Sequence, residues 1–194
     1  MLFICSAMAM ESRRNLNREE VEDCILQMAQ GDKDALARIY EMTHAAVYGF
    51  SLSILRNAQD AEDVLQETYL QLYHHAPAYR PNGNPMPYLF TIAKNFSLMK
   101  VRERKKTQQM PEDDLLYGED STLPAEDRHL LNTLMQVLSE EERQIVMLHC
   151  VAGFKHREIG QVTGLPLSTV LSKYHRAIGK LRKQLEEGES SGAL

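Results

Sequence analysis

The chain has 194 residues, 43% of them hydrophobic, so it is long enough for one medium-sized domain or two small ones with packed cores. It contains no Trp and few Gly and Pro, while residues with unbranched side chains are frequent, which favours helices over sheets. A net charge of -5 would exclude a nucleic-acid partner only if the charge were spread evenly, and it is not.

The cysteines indicate the compartment of the protein, and the start of the chain indicates how its first residues should be interpreted. The three cysteines are widely spaced and include no CxxC pair, so we expect free thiols in a reducing cytoplasm. The first ten residues are apolar, but no basic residues precede them and they are too short to span a bilayer. We therefore interpret residues 1–16 as a disordered leader, with Met8 and Met10 as alternative initiators.

The first half of the chain has the periodicity of consecutive helices. Residues 18–30 carry an apolar stripe spaced i, i+3, i+4, i+7, and Asp32 can cap a long second helix with a bend near Gly49. Asp60 is the predicted N-cap of a third helix that ends before Pro77. The sequence thus predicts an all-α protein.

A fourth helix follows a loop that is rich in Pro. It runs to about residue 106 and combines Tyr88 and Phe90 with Lys94, Asn95 and a dense basic run. Aromatic faces can stack unpaired bases, Asn can hydrogen-bond their edges, and basic side chains can follow the backbone, so this mixture suits a single strand. The alternative is that the aromatic residues are core and the basic run is a solvated helix end.

Charge is sorted along the chain in a way that predicts two domains. Basic residues dominate 94–106 and 155–183, whereas 109–127 carries seven acids and no Lys or Arg. Local rather than net charge contacts phosphates, so two basic regions joined by an acidic tether fit a two-site DNA binder. The predicted divisions are a helical domain, an acidic linker, a second helical domain and a disordered tail, at 17–107, 108–123, 124–187 and 188–194.

The second domain contains the pattern of a helix-turn-helix. Ser139 and Glu142 form a capping box, and a short helix at about 155–162 is followed by a turn at 163–165. A final helix then begins with Pro166 in its first turn, where Pro is tolerated. Two short helices joined by a turn that contains Gly, the second basic on its exposed face, are typical of this motif, although any helical hairpin can show the pattern.

The last helix would enter a major groove. Side chains near its N-terminal half that can reach base edges are Ser168, Thr169, Ser172 and Lys173. Arg176 and Lys180 are placed to hold phosphates, which fixes position rather than sequence.

Well over half of the chain resembles the extracytoplasmic-function sigma factors of the sigma-70 family. The first part of the resemblance runs from about residue 31 to 106 and includes DAEDVLQETYLQLYHH and PYLFTIAKN with its basic tail. The second runs from about 138 to 182 and begins LSEEERQIVMLHCVAGF. The two patterns occur in the expected order and separation, which is specific to this family.

The resemblance implies three binding surfaces. The third helix would dock on the clamp of core RNA polymerase through Asp60, Asp63, Gln66 and Glu67. The fourth helix would engage and open the -10 promoter element through Tyr88, Lys94, Asn95, Lys100, Arg102 and Arg104. The helix-turn-helix would read the -35 element as duplex DNA.

The resemblance also implies partners and a compartment. Factors of this type are commonly held by an anti-sigma factor, often membrane-bound, and we expect a cytoplasmic monomer when the chain is free. The acidic linker would enter the nucleic-acid channels of the polymerase, where its carboxylates could mimic a phosphate backbone. This hypothesis fails if replacing the acids by Ser or Gln leaves initiation unchanged.

Five positions depart from the family pattern. The family usually has Trp where Tyr88 stands and Asp where Met99 stands. Its recognition helix often begins TVKSR, whereas this chain has TVLSK, with Leu171 and Lys173 at the altered positions. Lys155 replaces the usual small capping residue, so the first helix of the motif is expected to start imperfectly.

Two other classes of binding protein, and enzymes, are the alternatives to a sigma factor. A DNA-binding regulator that acts without polymerase leaves the third and fourth helices unexplained. A degenerate interaction protein would bind polymerase or an inhibitor without opening DNA. An enzyme has no support, because the chain has no phosphate-binding Gly loop, HExxH or G-x-S-x-G motif. The histidines show no metal-ligand spacing, so we predict no metal and no cofactor.

Overall fold

The structure, a computed structural model, describes residues 18–106 and 136–191, and within them it contains helices and no strands. The α-helices are α1 (Arg18–Ala29), α2 (Asp34–Leu55), α3 (Ala58–His75), α4 (Pro85–Lys106), α5 (Glu140–Val146), α6 (His156–Thr163) and α7 (Leu167–Ser191). A 3-10 turn spans Ala76–Ala78 and a π-helical turn spans Met147–Val151. The predicted all-α class is confirmed.

Four sequence predictions concern segments that lie outside the described residues or at their ends. The leader at 1–16 and the acidic linker at 108–123 lie outside the described residues, as does most of the helix predicted to open the second domain after Pro124. Helix α7 continues to Ser191, which is inside the segment 188–194 predicted as a disordered tail.

The first three helices follow the predicted periodicity, but one cap differs. The predicted bend near Gly49 does not interrupt α2, which is one continuous helix. It ends at Leu55, and the next residue, Arg56, has left-handed backbone (φ 52). The extended Asn57 then caps α3 by accepting the backbone N–H of Asp60 at 2.9 Å. The prediction that Asp60 is the N-cap was wrong, because the chain turns three residues earlier and Asp60 lies in the first turn.

The core of the first half lies between α2, α3 and α4 and extends into the second half. Phe50 of α2 and Phe90 of α4 are fully buried with ring centroids 5.5 Å apart. The Phe90 ring also meets Phe154, which precedes α6, edge to face at 4.9 Å. The two predicted domains therefore share a hydrophobic cluster, and their division into independent units stays a prediction.

The second half begins with the predicted capping box. The Glu142 carboxylate accepts the N–H of Ser139 at 2.9 Å, and the Ser139 hydroxyl accepts the N–H of Glu142 at 3.4 Å. The capping box is therefore confirmed. Helix α5 continues into the π-helical turn, and Gly153 (φ 68) reverses the chain before α6.

Helix α6 starts without a capping side chain on Lys155, as the departure at this position predicts. The Glu158 carboxylate instead accepts the backbone N–H of Lys155 at 2.7 Å, so one free donor of the first turn is satisfied from within the helix. Gly164 (φ 78) closes the helix in left-handed conformation and leads into α7. The predicted helix-turn-helix is present at these residues.

Candidate nucleic-acid interface

Helices α6 and α7 present a polar and basic surface. Close packing at the turn depends on Gly160, because a Cβ there would lie 2.9 Å from the carbonyl oxygen of Leu165. The exposed members of the predicted -35 set are Ser168, Ser172 and Arg176. The half-buried members are Thr169, Lys173 and Lys180. All six lie on one helix, and the first four are within its first two turns.

Two of these basic residues also have partners within the fold. Lys173 pairs with Glu141 at 2.5 Å, and Lys180 pairs with the buried Glu142 at 2.6 Å. Burial opposes ionisation of Glu142, but hydrogen bonds from Lys180 and Ser139 outweigh it and lower the pKa of the carboxyl below its ordinary value. Lys180 is therefore a structural residue of this unit as well as a candidate phosphate contact.

Beneath α7, the base of the helix-turn-helix contains an aromatic group. His156 stacks on His149 with ring centroids 4.5 Å apart, and Tyr174 meets both rings edge to face. Nε2 of His156 is buried and has no hydrogen-bond partner among the described residues. Burial lowers the pKa of His156, and the neighbouring His149 and His175 lower it further.

We predict that His156 makes stability fall as the pH drops below about 6.5. As the pH falls, His156 binds a proton at a higher pH in the unfolded chain than in the folded chain, because its pKa is lower in the folded chain. In His156→Phe, the free energy of unfolding should change less between pH 7.5 and pH 5.5 than in the wild type, as measured by urea titration. His75→Phe, at an exposed position, should keep the wild-type pH response; equal responses in all three proteins would refute the assignment.

Helix α4 carries the predicted -10 set, and three members lie at or near solvent. Asn95 and Arg102 are exposed, whereas Tyr88 is half-buried with its ring 5.3 Å from that of Tyr79. Burial raises the pKa of the Tyr88 hydroxyl. Asn95 and Arg102 are thus available to a ligand, and Tyr88 is partly so.

Two other members of the -10 set contact the start of α3. Lys100 lies 2.7 Å from the carboxylate of Asp63 and 3.7 Å from that of Asp60, and Arg104 pairs with Asp60. The hydrogen bond from Lys100 to Asp63 raises the pKa of the lysine. The structure therefore joins residues that the sequence assigned to separate polymerase and DNA surfaces.

Lys94 has a third kind of environment. Its ammonium donates to the backbone carbonyls of Val162 and Thr163 at 3.0 and 2.8 Å, which are among the free acceptors at the C-terminal end of α6. Burial at this contact lowers the pKa of Lys94. A cation at a helix C-terminus is also favoured by the helix dipole.

The remaining polymerase-binding candidates lie together on the open face of α3. Gln66 and Glu67 are exposed, and Leu70 beside them is 51% exposed. Sequence analysis missed Leu70, although it is an apolar residue outside the buried stripe of this helix. Single exposed apolar side chains are common on protein surfaces, so Leu70 is a candidate because of its position beside Gln66 and Glu67.

No group of three or more His, Cys, Asp or Glu among residues 18–106 and 136–191 is arranged to hold a metal ion. In that part of the chain, no helix combines the length and apolar character that crossing a membrane requires.

Two family models match the chain over most of its length. The model of sigma-70 region 2 matches residues 39–107, and the model of sigma-70 region 4 matches residues 128–181. Among curated relatives, RNA polymerase sigma factor CarQ of Myxococcus xanthus is 31% identical over 82% of this chain and 94% of its own. The ECF RNA polymerase sigma factor SigW of Bacillus subtilis (strain 168) is 28% identical over 84% and 95%.

Solved structures share the fold. CnrH in complex with the cytosolic domain of CnrY superposes with a TM-score of 0.65 at 20% identity, covering 87% of this chain and 98% of that one. RpoE in complex with the anti-sigma factor NepR from Bartonella quintana gives 0.64 at 22% identity, covering 80% and 98%.

The chain belongs to the sigma-70 family and is an extracytoplasmic-function sigma factor. It is an alternative sigma factor that directs promoter recognition and transcription initiation. Sigma factors are not enzymes, so the prediction of a non-enzymatic protein is confirmed.

Proposed function

We propose that the exposed face of α3 is the polymerase-binding surface of this sigma factor. The observation that carries this assignment is the continuous face formed by Gln66, Glu67 and Leu70, in which none of the three side chains is needed for the core. Leu70 would supply apolar area, and the polar pair would complement basic groups on the clamp. Asp63 extends this face but also binds Lys100, and Asp60 supports Arg104.

The two DNA surfaces are assigned to α7 and α4. In α7, Ser168, Thr169, Ser172 and Lys173 would contact base edges of the -35 element, and Arg176 and Lys180 would contact phosphates. In α4, Asn95 and Arg102 would meet the -10 element first. The further -10 candidates are Tyr88, Lys94, Lys100 and Arg104, which would exchange internal partners for DNA.

The partners and compartment follow from the same function. The sigma factors in the two similar structures are bound to CnrY and to the anti-sigma factor NepR, which supports an anti-sigma factor as a partner of this chain. We assign the chain to the cytoplasm, where it would be a monomer before it meets polymerase. Membrane attachment, if present, would belong to the anti-sigma factor.

Run-off transcription from a genomic promoter library, with purified core polymerase and each protein, tests the proposed function. Wild-type protein should yield transcripts whose templates share upstream elements. Gln66→Ala/Glu67→Ala should reduce them at least about tenfold, because a contact worth about 1.4 kcal/mol changes binding tenfold. The matched control Glu20→Ala/Gln30→Ala removes the same two chemical groups from exposed positions elsewhere and should transcribe like the wild type.

Each failure has its own meaning. If no transcripts appear but core binding persists, the chain is a degenerate interaction protein. If the protein binds DNA and never associates with core polymerase, it is a free-standing regulator. If both double variants transcribe equally, the polymerase-binding surface lies elsewhere.

A further inference from the structure

The buried residues of α7 define which side of this helix faces solvent. Val170 and Ala177 are fully buried and lie on the side that packs on the core. At about 100° per residue, the opposite side is formed by Ser168, Ser172 and His175, and all three are exposed. Two hydroxyl groups and an imidazole therefore lie at the centre of the exposed face, and Lys173 is not part of it.

Lys173 lies on the flank of α7 that faces α5. Its ammonium is 2.5 Å from the carboxylate of Glu141, and its side chain is 21% exposed against 49% for that of the acid. Lys180, two turns further along the same flank, is paired in the same way with Glu142. The first turn of α5 therefore neutralises both lysines, and Lys173 would reach a base only after leaving Glu141.

Leu171 lies on the other flank of α7 and is exposed. Its exposed fraction is 37%, and that of Leu167, one turn before it, is 41%. A single exposed apolar side chain needs no explanation. Here two of them border the exposed hydroxyl groups of Ser168 and Ser172 in the first two turns of the helix, the part of a recognition helix that contacts base edges. The surface that would meet DNA thus contains an apolar strip.

The chemistry of these side chains discriminates between the bases of a duplex. In the major groove, thymine presents an apolar C5-methyl group, whereas guanine and cytosine present only hydrogen-bond donors and acceptors. Leucine has neither a donor nor an acceptor, so it would leave the polar groups of a facing guanine or cytosine unpaired. The hydroxyl groups of Ser168 and Ser172 can pair with a donor or an acceptor. A thymine opposite Leu171 therefore fits this surface best.

We propose that Leu171 is a specificity-determining residue of the -35 surface and selects thymine through contact with its methyl group. This assignment rests on the function proposed for α7 and adds to it the base that one residue selects. Lys173, held by Glu141, would contribute to affinity more than to the choice of base. The departure of TVLSK from the pattern TVKSR then changes the preferred base, because a Lys at position 171 would favour guanine, whose O6 and N7 accept hydrogen bonds from a cation.

Removal of the thymine methyl group alone tests this contact. Holoenzyme formed from core polymerase and the full chain is bound to a promoter duplex from the run-off library under conditions that keep the duplex closed. Each thymine of the -35 element is replaced in turn by deoxyuridine, which lacks only the methyl group. One replacement should weaken binding of the wild type about fourfold, the effect of losing one buried CH₂ group. Leu171→Ala should bind both duplexes equally, whereas the matched control Met99→Ala, which truncates an exposed apolar side chain on α4, should keep the difference.

Leu171→Lys provides a second measurement, which a merely structural role of Leu171 would not change. In run-off transcription from templates randomised in the -35 element, the wild type should select thymine and Leu171→Lys should select guanine at the same position. The absence of a deoxyuridine effect in the wild type, an equal effect in Leu171→Ala, or a retained preference for thymine in Leu171→Lys would overturn the proposal.

Arg176→Ala separates this failure from a failure of the proposed function. It removes a proposed phosphate contact and should weaken binding whatever the sequence of the -35 element. If it does so while no methyl effect appears, only the thymine contact is wrong. If Arg176→Ala and Leu171→Ala both bind like the wild type, α7 is not the -35 surface, and both assignments are wrong.

Discussion

Replacing Phe90 by Ala is expected to lower the free energy of unfolding by about 3–5 kcal/mol. The ring is fully buried between Phe50 on its own side of the molecule and Phe154 on the other. Its removal costs the transfer free energy of the ring and leaves a cavity that two rigid aromatic neighbours cannot fill. Urea titration followed by circular dichroism measures the change.

Met99→Ala is the matched control for that experiment. It truncates a large apolar side chain on the same helix, but Met99 is 49% exposed and should lose no more than about 0.5 kcal/mol. Phe90→Leu should fall between the two, because it keeps part of the buried volume. A loss of less than about 1 kcal/mol in Phe90→Ala would mean that the ring is not packed as described.

Lys180→Met should destabilise the chain by about 2 kcal/mol at pH 7, a typical value for a hydrogen bond to a charged group. The ammonium is the ionic partner of Glu142, whose side chain is only 2% exposed. Met preserves the length of the side chain but leaves the carboxylate with its capping contacts alone. Thermal or urea unfolding at pH 7 measures the loss, and Arg182→Met, exposed on the same helix, should change stability little.

The pH dependence of that difference identifies its cause. The pKa of Glu142 is lowered below 4.5 in the folded chain. A carboxyl group whose pKa is lowered by folding contributes stability at pH values above its unfolded pKa. That stability is lost as the pH falls through its folded pKa. The gap between wild type and Lys180→Met should therefore close at acid pH. A difference in stability that stays constant with pH would point to lost packing instead. So would a failure of Glu142→Gln to restore stability in the Lys180→Met variant.

Much of the fold could be predicted because its local signals agree. The stripe of α1, the capping box at Ser139 and the glycine at Gly164 each combine a periodicity with a cap or a stop. Asp60 shows where such reasoning fails. Two residues, Asn57 and Asp60, can each cap α3, but only Asn57 has the extended backbone of a cap and accepts the N–H of Asp60. The Asp60 carboxylate instead pairs with Arg104, which is 44 positions away in sequence.

The candidate site was less predictable than the fold. Charge patterns identified the basic residues of α4 and α7 but not the acids that face them. Arg18 and Glu158, which form an ion pair, are 140 positions apart in sequence, and no periodicity connects them. The exposed set on α3 was found from the family resemblance, whereas Leu70 became visible only when its exposure was known.

The π-helical turn at Met147–Val151 has a consequence for the length of this segment. A π turn closes with i→i+5 hydrogen bonds and so holds one residue more than the α-helical turn it replaces. Deleting one residue there would restore ordinary helix and rotate everything after it by about 100° relative to α5. Phe154 would lose its contact with Phe90, and α6 and α7 would change their direction relative to α5. Substitutions in this turn can therefore be tolerated where insertions and deletions cannot.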